Sequence, residues 1–357
     1  MFKKTIAYTA AAAILLGMTA CGESSSQQDT AESSVTVSQT EPVTGEQLNI
    51  VCTIFPEYDW VKQILGDHAS HAEITYLLDS GMDLHSYQPT AMDMAKIAEC
   101  DLFVYVGGES DEWVKDALAE AVNKNMQVIN LLEVMGDAAK EEEVKEGMEH
   151  DHDHEHEEDE HNHEDEDHDH DHEHEEGEVE YDEHIWLSLK NAKTLCKEIA
   201  DRLSILDSAN KDAYKANLDA YTAQLDKLDG NFKTLIDGAK QKTLVFGDRF
   251  PFRYFVDDYG LDYFAAFVGC SAETEASFET IVFLAEKMDT LGCGTIFTIE
   301  NSDHKIAQTI IDNTKAKNQK IAEMNSLQSV TKDQISSGAT YLSLMQANYD
   351  TLKGALQ

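Results

Sequence analysis

The chain has 357 residues, enough for two lobes of ordinary size with separate cores. Its 27 Lys and Arg against 69 Asp and Glu give a net charge of −42, yet residues 141–183 carry 25 acidic groups against one lysine, which is −24 of that total and leaves −18 on the rest. An acidic balance without clustered Lys and Arg excludes a nucleic-acid binder, because phosphates recruit such clusters, and it makes cations the natural partners.

At the N-terminus, Lys3 and Lys4 precede the apolar run "TAAAAILLGMTA", too short for a permanent membrane-spanning helix. "MTAC" then puts small residues before Cys21 and resembles a lipobox, where signal peptidase cuts and the cysteine becomes diacylated. Residues 1–21 are accordingly expected to be a lipoprotein signal peptide ending at Cys21, the lipid anchor. Residues 22–47, rich in Ser, Thr, Gln and Glu, form the expected disordered linker. The expected location is extracytoplasmic, lipid-anchored to the outer face of the cytoplasmic membrane. Beyond Cys21 the chain keeps Cys52, Cys100, Cys196, Cys270 and Cys293, an odd set without a C-x-x-C pair, which does not indicate a disulfide scaffold.

From residue 48, short apolar runs alternate with helical patterns. "LNIVCTI", "EITYLL", "DLFVYV" and "QVINL" read as buried strands, with "EYDWVKQIL" and "AMDMAKIAE" as helices between them. The alternation predicts an α/β lobe on a parallel sheet, over residues 48–187. It resumes with "TLVFG", "YFAAFV", "TIFTIE" and "QKIAEM" and ends on a helix near residues 338–355, which makes 238–357 a second α/β lobe. Between them, over 188–237, Tyr214, Leu218, Tyr221, Leu225, Leu228 and Phe232 recur at spacings of four and three, the period of a helical spine with one buried face.

The first lobe is interrupted by an acidic, histidine-rich loop over about 138–182. Within it stand His150, His152, His154, His156, His161, His163, His168, His170, His172 and His174, among sixteen carboxylates between His150 and Glu176. So many like charges cannot collapse into a core, so the loop is expected to be disordered and extended. The carboxylates favour protonated imidazole, so metal must displace protons and uptake weakens as pH falls. Neutral imidazoles prefer zinc, copper or nickel to calcium or magnesium. The loop reads as an auxiliary zinc collector, and a plain solvated tether would need only Asp and Glu.

In open α/β sheets ligands settle beyond the carboxyl ends of strands. Two loops there carry a histidine: "LLDSGMDLHSYQPTAMDMA" puts His85 at its tip, and "DEHIWLSLKNA" puts His184 just ahead of a helix. With "SGMDLHSYQPTAMDMAKIAECDLFVYVGGESDEW" and "YLSLMQANYDTLKGAL", these stretches resemble the metal-binding substrate-binding lipoproteins of zinc and manganese ABC importers, over about residues 48–355. The specific signature is G-x-x-x-H-x-Y followed by H-x-W. The resemblance implies two (β/α)4 lobes joined by a long rigid helix, with one metal in the interlobe cleft bound by His85 and His184. It also implies a non-enzymatic monomer that gives its zinc to the permease and ATPase of an importer. A histidine-rich loop between those two histidines goes with zinc rather than manganese in that family.

The second lobe departs from the pattern. The family's His or Glu slot after the first strand of this lobe falls on Arg249, which cannot bind a metal, and its carboxylate slot falls on Asn325 or Gln328. Replacement ligands must be carboxylate or thiolate. Glu300, at the end of "GTIFTIE", and Asp248, beside Arg249, come first, followed by Cys270 and Glu275 in "FVGCSAETEAS". Alternatively Glu300 and Asp248 form a salt bridge with Arg249, or water or the acidic loop completes a two-histidine site. A manganese-type receptor and a zinc-buffering or adhesive surface lipoprotein are the other functions open. An enzyme is not expected, since His85 and His184 lack H-E-x-x-H spacing and no nucleophile elbow is present.

Overall fold

The structure is a computed structural model that describes residues 47–148, 180–271 and 275–356. Cys21, the leader and linker, and the ten histidines from His150 to His174 lie outside the described residues.

Among the described residues eight short strands form two sheets of four. In the first lobe β1 (Leu48–Cys52), β2 (Ala72–Tyr76), β3 (Leu102–Tyr105) and β4 (Gln127–Asn130) stand in the order β2-β1-β3-β4, all parallel. The second lobe repeats the order with β5 (Thr243–Phe250), β6 (Asp262–Val268), β7 (Thr295–Ile299) and β8 (Lys320–Met324), giving β6-β5-β7-β8. These segments were legible as apolar runs because a parallel strand covered on both faces buries every side chain, as all four residues of β3 do. Helices α1 (Phe55–Leu65), α2 (Ala91–Glu99), α3 (Val114–Ala119) and α4 (Leu131–Met135) belong to the first lobe. Thr90 caps α2 through a capping box with Asp93.

The spine consists of two helices rather than one run. α5 (Leu189–Leu206) ends where Asp207 leaves helical backbone, and α6 (Lys211–Gly238) starts after Asn210. The turn is fixed because the Asp207 carboxylate accepts from Asn210 Nδ2 at 2.7 Å and from Tyr214 Oη at 2.6 Å. α6 has 28 residues, or about 42 Å at 1.5 Å per residue. It buries Tyr214, Tyr221, Leu225, Leu228 and Phe232, with Leu218 partly covered. It packs on α1 and α5 at one end of the chain, and on α7 (Arg253–Tyr259) and α11 (Tyr341–Leu356) from the second lobe. The lobes are further joined by Asp59, whose carboxylate accepts the Tyr341 N–H at 3.0 Å, and by Tyr341 Oη, which donates to the Trp186 carbonyl at 2.6 Å. α8 (Phe278–Leu291), α9 (Lys305–Asn313) and α10 (Lys332–Ser336) complete the second lobe. The final helix starts at Tyr341 rather than near 338, after Gly338 turns the chain at a φ of 99°.

The expected structureless loop over 138–182 is paired at both ends. Glu142 N donates to the Glu180 carbonyl at 2.9 Å and Asp182 N to the Lys140 carbonyl at 2.8 Å, with an antiparallel bridge between Glu141 and Tyr181. This stem lies across the second lobe: Lys140 N donates to Tyr254 Oη at 2.9 Å, Tyr263 Oη to Glu143 at 3.0 Å, and the Lys145 ammonium sits 4.2 Å over the Tyr263 ring. Charge composition hid the pairing, because backbone hydrogen bonds and a few anchoring aromatics do not show in it. Among the described residues all five cysteines are free.

Close packing of β5 on α9 supplies a stability test. A Cβ on Gly247 would lie 2.6 Å from Ala307 Cα, which is backbone and cannot step aside. Gly247→Ala should therefore cost about 1–3 kcal/mol, seen as a lower calorimetric melting midpoint. Gly294→Ala, whose Cβ meets nothing within 4 Å, should stay within about 0.5 kcal/mol of the parent. Equal midpoints for the two variants would contradict this packing.

Candidate metal centre

His85 stands in a single 3-10 turn, Leu84–Ser86, on the loop that leaves β2. Asp83 shapes the turn: one carboxylate oxygen accepts the His85 N–H at 3.0 Å, and the other meets Arg249 Nη2 from β5 at 2.5 Å. Burial pushes the Asp83 carboxyl up, but Arg249 and His85 outweigh it and hold it below its ordinary value. His184 is fully buried and opens the turn Ile185–Leu187, after which Ser188 caps α5.

The imidazoles, 99 residues apart in sequence, meet with their Nε2 atoms 3.2 Å apart. Each has an acceptor behind it. His184 Nδ1 lies 3.0 Å from the Asp182 carboxylate, the same oxygen that accepts the His184 backbone N–H. His85 Nδ1 lies 2.8 Å from Ser110 Oγ and 3.4 Å from the Glu183 carboxylate. A carboxylate behind Nδ1 favours the proton there and leaves the Nε2 lone pair free, which is how proteins orient metal-ligating histidine. Glu183 is itself fixed by the Ser110 N–H at 2.9 Å. Hydrogen bonding to His85 and Ser110 and the nearby His85 ring hold its carboxyl below the ordinary range, although burial, the largest influence, opposes them.

Cys270 completes the arrangement from the second lobe. Its sulfur and one nitrogen of each histidine all lie within 4.8 Å of one another, the one such group of three His, Cys, Asp or Glu among the described residues. Close approach needs Gly269, where a Cβ would fall 3.1 Å from His184 Cε1. Burial, then Asp182, Glu183 and Glu142, push the Cys270 thiol well above its usual value. A cavity of about 250 Å³ opens on the group, lined by His85, Ser110, Cys270 and Tyr181 and by the carboxylates of Glu109, Glu142, Glu180 and Glu183. A larger hollow of about 520 Å³ between β8 and α11 contains no histidine or cysteine. Two imidazoles and a thiolate at this spacing suit a tetrahedral ion with nitrogen and sulfur ligands.

The carboxylates ranked first from sequence are not in this group. Glu300 is half-buried beside the loop after β8, where its oxygens accept the Ser326 N–H and Oγ–H, each at 2.6 Å. Burial pushes its carboxyl up despite those bonds. Asp248 accepts the Arg249 N–H at 2.9 Å and the Ile299 N–H at 3.3 Å. Both are acceptors for backbone that needs them, and Glu275 is exposed. The Arg249 guanidinium forms its ion pair with Asp83 rather than with either of these, and donates to the Ser271 carbonyl at 3.1 Å. Asn325 accepts the Leu327 N–H, and Gln328 is buried with its carbonyl oxygen lacking a hydrogen-bond partner. Sequence reasoning passed over Asp182 and Glu183, although they stand immediately before His184 in "DEH".

One residue beyond Ser110, Asp111 accepts the Val106 and Gly107 N–H groups at 2.9 and 3.0 Å while its other oxygen, like Glu57 Oε1, is buried without a partner. Burial pushes Asp111 up to about 7. A carboxyl whose folded value lies above its unfolded one binds its proton more tightly when folded, so it favours the fold at low pH and loses that contribution as pH rises through about 4 to 7. The metal-free protein should melt lower at about pH 8 than at pH 5, and Asp111→Asn should recover roughly 2–4 kcal/mol of the difference. An unchanged pH dependence in Asp111→Asn would remove Asp111 as a cause.

The family described as zinc-uptake complex component A periplasmic, ZnuA, matches residues 50–355. The high-affinity zinc uptake system protein ZnuA of Bacillus subtilis is 29% identical over 356 residues, covering 100% of this chain and 99% of that protein. The zinc-binding lipoprotein AdcA of Streptococcus pneumoniae is 31% identical over 314 residues, 86% of this chain and 55% of that protein. The chain spans 58% of the length of the zinc-binding AdcA proteins of Streptococcus pyogenes. Among solved structures, the Zn(II)-bound ZnuA-like domain of Streptococcus pneumoniae AdcA superposes with a TM-score of 0.64 at 28% identity, over 87% of this chain and 99% of that domain.

Proposed function

The chain belongs to the ZnuA family of zinc-uptake components, and on that premise we propose that it is an extracytoplasmic receptor that captures Zn2+ in the cleft between its lobes and delivers it to an ABC-type importer. The observation that carries the reading is the pair of facing Nε2 atoms 3.2 Å apart with the Cys270 sulfur beside them. His85, His184 and Cys270 are the ligands in this reading. Asp182 and Glu183 hold the two imidazoles in the tautomer that presents a lone pair. The Cys270 thiol loses its proton when zinc binds, so binding releases a proton and weakens with acid. Nitrogen and sulfur donors favour zinc over manganese, which prefers carboxylate and water.

Lipid anchoring at Cys21 is part of the proposal and rests on the N-terminal sequence; a Streptococcus pneumoniae relative carries the name lipoprotein. A monomer that meets the permease and ATPase of its importer fits a site built wholly within one chain. Nothing in this reading calls for catalysis by the protein.

His85→Ala, His184→Ala and Cys270→Ser should each weaken the tight phase of a zinc–chelator competition titration by about tenfold or more, since even groups behind a ligand carry that much. Glu300→Gln should leave the tight phase within about twofold and instead lower the melting midpoint, because it weakens a half-buried acceptor of the Ser326 loop. An unaltered tight phase in the His85→Ala, His184→Ala double variant would move the site elsewhere.

The histidine-rich segment is proposed to gather zinc at the mouth of the cleft by raising local concentration without contributing a cleft ligand. Removing residues 149–179 and joining the paired stem should leave one tight zinc equivalent in calorimetric titration and abolish several weaker ones. The weak phase of the intact protein should fade between about pH 7.5 and 6, as its imidazoles protonate. A single equivalent in the intact protein at pH 7.5 would identify the segment as an inert tether. A zinc-buffering lipoprotein would differ in depending on the segment rather than on the cleft.

A further inference from the structure

Two neutral imidazoles and one thiolate leave a bound Zn2+ with a net positive charge and a fourth position to fill. Most carboxylates near the cleft have other duties. Asp182 and Glu183 stand behind the Nδ1 atoms of the histidines, and Asp83 pairs with Arg249. Asp248 and Glu300 serve backbone of the second lobe. Glu142 also accepts a second-lobe N–H, but unlike Asp248 and Glu300 it faces the cavity that opens on the histidines. It lines the same cavity as His85 and Cys270, and its Oε1 accepts the Cys270 N–H at 3.2 Å. It is also close enough to His184 and to the Cys270 thiol to interact electrostatically with both. Its backbone is held in place, because its N–H pairs with the Glu180 carbonyl and the flanking Lys140 pairs with Asp182, two residues before His184.

We propose that Glu142 is the fourth ligand of the cleft metal, contributed by the stem of the histidine-rich insertion and brought onto the ion from the Cys270 amide. The carboxylate has two oxygens, so Oε1 can keep the amide while Oε2 turns onto the metal. The step breaks no covalent bond and adds one negative charge, which together with the thiolate neutralises Zn2+. It also explains how a second lobe with Arg249 and two amides in the family's ligand slots can still offer a closed site. The missing carboxylate has moved to the first lobe, on a segment that lies across the second. The inference rests on the His85, His184 and Cys270 reading.

The test uses the full chain loaded with Zn2+ or with Co2+, whose spectrum reports sulfur ligation and coordination geometry separately. Glu142→Gln and Glu142→Ala should each weaken zinc by about tenfold or more in chelator competition, while Glu141→Gln, an exposed neighbour with the same charge change, stays within about twofold. In Co2+-loaded Glu142→Gln the thiolate-to-cobalt charge-transfer band should persist while the ligand-field bands change. If Glu142 merely positions Cys270, the glutamine carbonyl still accepts the amide, so Glu142→Gln would keep parental affinity and ligand-field bands and only Glu142→Ala would weaken; that result overturns the proposal. Absence of the charge-transfer band in the parent protein would instead overturn the three-ligand reading beneath it.

Discussion

Two imidazole nitrogens 3.2 Å apart, each with an acceptor behind its ring, are the constraint around which the molecule is arranged. In the tautomer that protonates Nδ1 against these acceptors, both Nε2 lone pairs point into the same small volume. Lone pairs that face one another repel, and a cation between them turns repulsion into two bonds. The fold maintains that arrangement at a distance of 99 residues in sequence. The β2 loop delivers one ring and the turn before α5 the other, while α6 and the Asp59–Tyr341 and Tyr341–Trp186 hydrogen bonds hold the lobes beside them.

Arg249 acts on the same geometry from the opposite side. A guanidinium cannot ligate a metal, but its forked donors hold Asp83, which shapes the His85 turn, and the Ser271 carbonyl, the residue after Cys270. One side chain thereby ties the first-lobe ligand loop to the second-lobe one. It also places a fixed positive charge beside an otherwise acidic cavity. A cation in that position compensates Asp83 and leaves the remaining carboxylates to face the cavity.

The strands were legible in sequence for a physical reason, since parallel strands covered on both faces must be apolar throughout. The two histidines were legible through their loops beyond strand ends and the resemblance of those loops to a known family. The second-lobe residues were not legible in the same way. Glu300 and Asp248 sit near strand ends, where ligands gather, but the sequence does not show that Ser326 and Ile299 present N–H groups to them. Cys270 looked weaker because its approach depends on Gly269 and on a loop whose path is set by tertiary contacts. The spine's break at Asp207 and the paired stem around Glu142 depend on single side-chain and backbone hydrogen bonds, which periodicity and charge do not encode.

The surroundings of Cys270 have a consequence for oxidation. Sulfur is attacked by oxidants as thiolate, and the thiolate fraction is set by local charge. Burial and the carboxylates of Asp182, Glu183 and Glu142 keep this sulfur protonated while no cation is near. The same negative field that would favour a cation here thus also keeps the thiol unreactive. In the proposed reading, zinc would take the place of that proton and cover the sulfur at the same time.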